Sequence, residues 1–180
     1  MKNIIPFVFI LFASCKPCQN LNFTLNEPVL TKTMNCPDNG ECFVELIPNK
    51  SLEFKIDEFG ISYPIITDGE KTILKYTYTR NPVLNTQDSN YTEIVYAELD
   101  KTITEISLTS KELQTIKLYF GRLCYCKGET GYYPIKNGSF KIEKSSKNTV
   151  KIDIEFNIKE VPQIISKISE TISLKSNETI

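Results

Sequence analysis

Between Val150 and Lys159 the chain alternates without a break. Val150, Ile152, Ile154, Phe156 and Ile158 fall on one parity, and Lys151, Asp153, Glu155, Asn157 and Lys159 on the other. Successive side chains of a strand point to opposite faces, so this segment has one dry face and one wet face. It reads as a half-buried antiparallel strand. The same period-two pattern recurs over residues 42–47, 51–56, 61–66, 72–78, 93–99, 102–108, 116–125 and 139–143, after a weaker first strand at 22–25. Turn residues separate the runs at Asp68-Gly69, Asn81-Pro82, Gly128 to Gly131, Asn137-Gly138 and Ser145 to Asn148. The pattern predicts an all-β chain: an antiparallel β-sandwich, or barrel-like sandwich, of about eight or nine strands.

Two short helices are expected within it. Thr109-Ser110-Lys111-Glu112 has the spacing of a capping box. Pro162 ahead of Ile164, Ile165, Ile168 and Ile172 has helical spacing and predicts a helix that closes the chain. One strand has a parity conflict. Ile116, Leu118 and Phe120 share a side with Arg122, Cys124 and Cys126. A bulge at Gly121 would switch parity, let Leu123 and Tyr125 continue the core and spare a buried arginine.

Composition narrows the chemistry. The chain has no His and no Trp, which removes imidazole-based triads, His-containing metal sites and indole platforms for sugars. With 21 basic and 22 acidic residues, no global field favours nucleic acid. The charge is uneven: residues 15–100 carry 7 basic and 13 acidic side chains, and residues 101–180 carry 13 and 9. Strand pairing between the halves is expected to neutralise them. Asp57-Glu58 and Glu41/Glu45 are the available carboxylate pairs, but neighbours on a strand diverge and no aromatic clamp accompanies them. Asp38-Asn39-Gly40-Glu41 lacks the spaced acidic ligands of a calcium loop and fits a turn better. No catalytic residue, metal site or cofactor is therefore expected, and the chain reads as a non-enzyme.

The amino end differs from the rest. Lys2 precedes nine mainly apolar residues, Ile4 to Phe12, and then Ala13, Ser14 and Cys15. A helix of that length spans about 15 Å, too short for a bilayer, so residues 1–14 read as a secretory signal peptide. Phe12-Ala13-Ser14-Cys15 resembles the bacterial lipobox, with Phe12 where Leu is usual. The resemblance implies cleavage before Cys15 and lipidation of its sulfur. Residues 15–30 then form a tether with the weak first strand, and residues 31–180 a single β domain.

Six cysteines in an exported chain belong to an oxidising compartment. With Asp38-Asn39-Gly40 as a three-residue loop and Gly40 left-handed, Cys36 faces Cys42 and a disulfide is expected. A two-residue turn at Asn39-Gly40 would set Cys36 opposite Phe43 instead. Cys124 and Cys126 would stand about 6.5–7 Å apart on an extended strand, which disfavours a direct bond. Either could pair with Cys18 or with the Cys36/Cys42 hairpin. Zinc-like spacing and a thioredoxin-like redox context are both missing.

Residues 120–135, from Phe120-Gly121-Arg122-Leu123-Cys124-Tyr125-Cys126 to Tyr132-Tyr133-Pro134-Ile135, resemble lipoproteins of Bacteroidota, flavobacteria especially. Glu160 to Ile165 and the lipobox share that resemblance. It implies export and a lipid anchor, with the outer membrane as the expected location, and supplies no activity. The expected role is a lipid-anchored envelope module that binds an envelope protein or glycan. Tyr76 and Tyr78 share a face, which gives a carbohydrate or small-ligand module as the alternative. Lys127, Tyr132 and Tyr133, around the Gly128 to Gly131 loop, are the expected binding residues.

Overall fold

The computed structural model describes residues 21–146 and 148–174. These residues hold twelve strands: β1 (Asn22–Thr24), β2 (Val29–Lys32), β3 (Gly40–Ile56), β4 (Ser62–Arg80), β5 (Tyr91–Asp100), β6 (Thr102–Thr104), β7 (Ile106–Thr109), β8 (Tyr119–Cys124), β9 (Gly131–Pro134), β10 (Gly138–Ser146), β11 (Thr149–Phe156) and β12 (Lys167–Ser173). They form an antiparallel six-stranded sheet β2-β3-β4-β5-β8-β9, a four-stranded sheet β12-β11-β10-β7 and the small pair β1-β6. The described residues form an all-β sandwich, with no closed barrel among them.

The core lies between the two larger sheets. Val150, Ile152, Ile154, Phe156 and Ile158 are all buried, as their alternation requires. Opposite them, the inward rows of the six-stranded sheet carry Val44, Tyr76, Val95 and Phe120, and Leu46, Leu74 and Ala97. Phe120 meets Phe156 across the gap, with ring centroids 5.7 Å apart. β12 lies toward the Tyr91 end of β5, because Ile164 and Ile165 just before it donate to Glu93. β7 follows β6 at the Asp100 end.

β3 and β4 are far longer than the 5–6 residues common for strands, and a break in their pairing shows why. The register shifts at Pro48 to Lys50, where Lys50 faces both Asp68 and Lys71. Beyond this bulge the ribbon 50–68 lies against the outer face of the sheet and packs a second cluster of Leu52, Ile73, Ile94 and Tyr96. Phe54 stacks on Tyr119 at 3.7 Å and approaches Tyr96 and Tyr132. Leu52 N–H donates to Glu98 at 2.7 Å, and Lys117 Nζ bridges Leu52 O and Glu98. We refer to this ribbon as the arm. The sequence reads it as two separate strands, 51–56 and 61–66.

Several expectations are corrected. The capping box is present, with Thr109 and Glu112 bonded, and it opens a 3-10 helix at Ser110–Ile116 that ends on left-handed Lys117. The closing helix is absent: residues 167–173 are β12, with Ile168, Glu170 and Ile172 facing inward. Glu170 at a core position broke the apolar alternation and left only the isoleucines, whose spacing imitates a helix. No bulge occurs at Gly121. The β5–β8 register runs unbroken from Tyr91↔Cys124 to Tyr96↔Tyr119, so Arg122 is buried and Tyr125 is 84% exposed. Leu123 packs with the arm cluster instead. Gly121 is needed because the Tyr132 ring lies over it, 2.4 Å from where a Cβ would stand. Leu21, Leu25 and Val29 are buried, so the described part of the expected tether belongs to the core. Ion pairs form mostly within each half, as in Lys75–Glu45, Lys71–Asp100, Lys141–Glu143 and Lys151–Asp153, with Lys117–Glu98 crossing between them.

Candidate functional site

Three connections of the six-stranded sheet come together at one end of it. They are residues 33–39 between β2 and β3, 81–90 between β4 and β5, and 125–130 between β8 and β9. Each is tied down. Cys36 and Cys42 form a disulfide across the first, with Cα atoms 5.5 Å apart. Asn81 N–H donates to Asn39 O at 2.7 Å, linking the first loop to the second. Ser89 Oγ accepts from Val83 N–H, and Ser89 O accepts from Arg80. Cys124 and Cys126 form a disulfide at the mouth of the third, with Cα atoms 5.1 Å apart. Large apolar side chains nevertheless face solvent: Met34 is 94% exposed and Leu84 90%, beside the exposed Val83 and Tyr125. Fixed backbone carrying exposed apolar side chains is the arrangement of a recognition surface.

The Cys36–Cys42 pair is the expected one, but its geometry differs. β2 and β3 are joined by a longer loop, with Thr33 N–H donating to Cys42 O, and the left-handed residue is Asn39, at φ 61°. Cys36 reaches Cys42 from the loop rather than from an opposed strand position. On loop-closure entropy this seven-residue ring contributes roughly 2.4 kcal/mol. Cys124 and Cys126 are closer than an extended strand allows because β8 stops at Cys124 and the chain bends at Tyr125. That three-residue ring contributes only about 1.6 kcal/mol.

Beneath the loops lies a buried polar cluster. Glu93 is fully buried and accepts from Tyr91 Oη–H, Ile164 N–H (2.6 Å) and Ile165 N–H (2.7 Å). Its cross-strand neighbour Arg122 donates from Nη1 to Glu129 at 2.6 Å and from Nε to Tyr91 Oη at 3.3 Å. Burial works against the Arg122 charge, but its bonds to Tyr91 and Glu129 outweigh that and hold its pKa above the usual value. Tyr91 lies between two guanidinium groups: Arg80 at 4.9 Å from the ring centre and Arg122 at 5.4 Å. Burial, and then Glu93 beside it, push the Tyr91 phenol up to about 12. Arg80 and Arg122 are the only arginines among 21 basic residues. Planar guanidinium stacks on a ring where a Lys ammonium would not, which is why arginine appears here. That scarcity was the signal in the sequence, and the bulge expected at Gly121 hid it.

The expected binding residues do not converge. Tyr132 and Tyr133 project to opposite faces of β9, the first into the arm cluster and the second against the main core. Burial raises the pKa of both. Lys127 is exposed in the turn between them and the disulfide. Tyr76 and Tyr78 are buried in the core and present no surface to a sugar. The candidate carboxylates serve structure. Asp57 Oδ1 caps the arm turn by accepting from Phe59 and Ile61 N–H, while Glu41 and Glu45 pair with Lys32 and Lys75. Among the described residues no group of three His, Cys, Asp or Glu side chains is placed to hold a metal ion, and no helix is long and apolar enough to cross a membrane. Cys15 and Cys18, the expected lipidation site and the odd cysteine, lie outside the described residues, as does the expected signal peptide. No known protein family, curated protein or solved structure matches the chain.

Proposed function

We propose that this chain is a lipid-anchored cell-envelope lipoprotein that binds another envelope protein through the loop end. The observation that carries this reading is the position of the two ends. β1 pairs with β6, which follows Asp100, whereas Met34, Leu84 and Tyr125 surround the Tyr91 end of β5. Ten residues of strand separate the ends by about 30 Å. From Cys15 to Leu21 the chain reaches at most about 20 Å. A lipid on Cys15 would therefore hold the β1 end near a bilayer and leave the loop end facing away from it. Two or three acyl chains suffice for stable anchoring, where one does not. A glycan partner is less well supported, since the paired tyrosines that motivated it are buried.

The test is capture from detergent-solubilised envelope with the tagged mature protein and two variants. A Met34→Asp/Leu84→Asp/Tyr125→Asp variant is expected to lose a partner that the parent and a Phe59→Asp arm-tip variant both retain. Equal capture by the loop variant, or no specific partner for the parent, would contradict the reading.

A further inference from the structure

Cys124 is the cross-strand partner of Tyr91, and both arginines pack on that ring. The charged groups of this cluster are not equally matched. Arg122 is held by Glu129 at 2.6 Å. Glu93 is engaged by Tyr91 and two backbone N–H groups. Lys127 is exposed beyond the second cysteine. Arg80 differs from all of these. Among the described residues no carboxylate pairs with it, its Nη2 donates one 3.3 Å bond to Ser89 O, and its buried Nε has no acceptor. The unmatched cation of the cluster, with a free donor, thus lies one ring away from Cys124. A sulfur anion formed at Cys124 would lie across the Tyr91 ring from that positive charge.

The disulfide is also dispensable as a staple. Its three-residue ring restrains the unfolded chain less than that of Cys36–Cys42. The loop it heads is held independently by Arg122–Glu129 and by Thr130 Oγ1 donating to Arg122 O at 3.1 Å.

We propose that Cys124–Cys126 is a thiol–disulfide exchange site that oxidises a dithiol polypeptide of the envelope. Cys124 packs against the core, and Cys126 lies past the strand end between exposed Tyr125 and Lys127, so Cys126 Sγ is the sulfur attacked. A substrate thiolate bonds to it, the Cys124–Cys126 bond breaks, and the electron pair leaves on Cys124 Sγ. The second substrate thiolate then attacks its own sulfur partner in the mixed disulfide and releases Cys126. The substrate loses two electrons and two protons and gains a disulfide. Cys124 and Cys126 gain the two electrons, and the protons pass to the two sulfurs or to solvent. Cation stabilisation of the leaving Cys124 thiolate favours the first step, because a lower leaving-group pKa speeds exchange.

The folded mature protein is first titrated with dithiothreitol, and the freed thiols are alkylated and mapped. Cys124 and Cys126 are expected to open first, with Cys36–Cys42 closed and the fold retained. Opening of Cys36–Cys42 first, or loss of the fold as Cys124–Cys126 opens, would overturn the proposal. A reduced synthetic peptide with two cysteines is then offered in equal amount. The parent is expected to convert it to its disulfide, with Arg80→Gln about tenfold slower; equal rates would overturn the proposal. In a Cys126→Ser variant, the pH profile of Cys124 alkylation is expected below the ordinary cysteine value of about 8.5 and to move up when Arg80→Gln is added. A purely structural Arg80 would leave that profile unchanged.

Discussion

Glu93 in β5 accepts the backbone N–H of Ile165 at 2.7 Å across 72 residues of sequence. With the matching bond to Ile164, this carboxylate ties the chain ahead of β12 to the centre of the six-stranded sheet. These bonds close that end of the sandwich together with the buried Val161, Ile165 and Ile168. Glu93→Ala would leave two N–H groups and the Tyr91 hydroxyl without their acceptor in a dry site. We expect a loss of about 3–5 kcal/mol in urea unfolding. Glu93→Gln keeps one acceptor oxygen and should lose about 1–2 kcal/mol. Equal losses for the two would show that the carboxylate is not the tie.

Glu170 gives the opposite sign. It faces inward from β12, and its Oε1 has no hydrogen-bond partner among the described residues. Burial raises its pKa above the usual carboxyl value, with Thr33 opposing. A carboxyl that binds its proton more tightly when folded contributes stability at low pH. That contribution is lost as pH rises from the unfolded pKa through the folded one. Glu170→Gln should therefore flatten the stability profile above the ordinary glutamate pKa and gain about 1 kcal/mol at neutral pH. A variant that is less stable than the parent at neutral pH would contradict this.

The arm makes a separable prediction. Phe54→Ala removes the ring stacked on Tyr119 and opens the Leu52 cluster. Its expected cost is about 2–3 kcal/mol. Hydrogen exchange should rise over residues 50–68 while the Ile152–Phe156 strand stays protected. Uniform loss of protection would mean that the arm is not an independent unit.

Gly121→Ala places a methyl against the Tyr132 ring, 2.4 Å from the ideal Cβ position. We expect about 1–3 kcal/mol of destabilisation from overpacking. Most of it should return when Tyr132→Ala is combined with it. Additive losses would remove the contact as the reason for this glycine.

The strands whose two faces differ in polarity were legible: β11, the first half of β3 and Leu74 to Tyr78 of β4 follow their alternation. What escaped were the places where polar groups occupy core positions. Glu170 disguised β12 as a helix, and Arg122 invited a bulge that does not exist. For Arg122, Tyr91 and Glu129 make tolerable what local pattern forbids, whereas Glu170 is buried with its Oε1 unpartnered among the described residues. The arm was missed for a different reason. Its fold-back depends on a register shift at Pro48 to Lys50, and register is a property of two strands together. The loop end was half legible. Cys36 and Cys42 pair as their spacing allows, whereas Tyr132 and Tyr133 were chosen for residue type and lie on opposite faces. The exposed Met34, Leu84 and Tyr125 carry no local signal of exposure.

Intact mass of the mature chain isolated from membranes, before and after reduction, tests the anchoring claim most directly. With Cys36–Cys42 and Cys124–Cys126 closed, only Cys15 and Cys18 are left. The account predicts a chain that begins at Cys15 and carries two or three acyl groups. It also predicts four hydrogens gained on reduction and Cys18 as the one sulfur outside the two bonds and the lipid. An unacylated chain, or six hydrogens gained because Cys15 and Cys18 are bonded to each other, would contradict it.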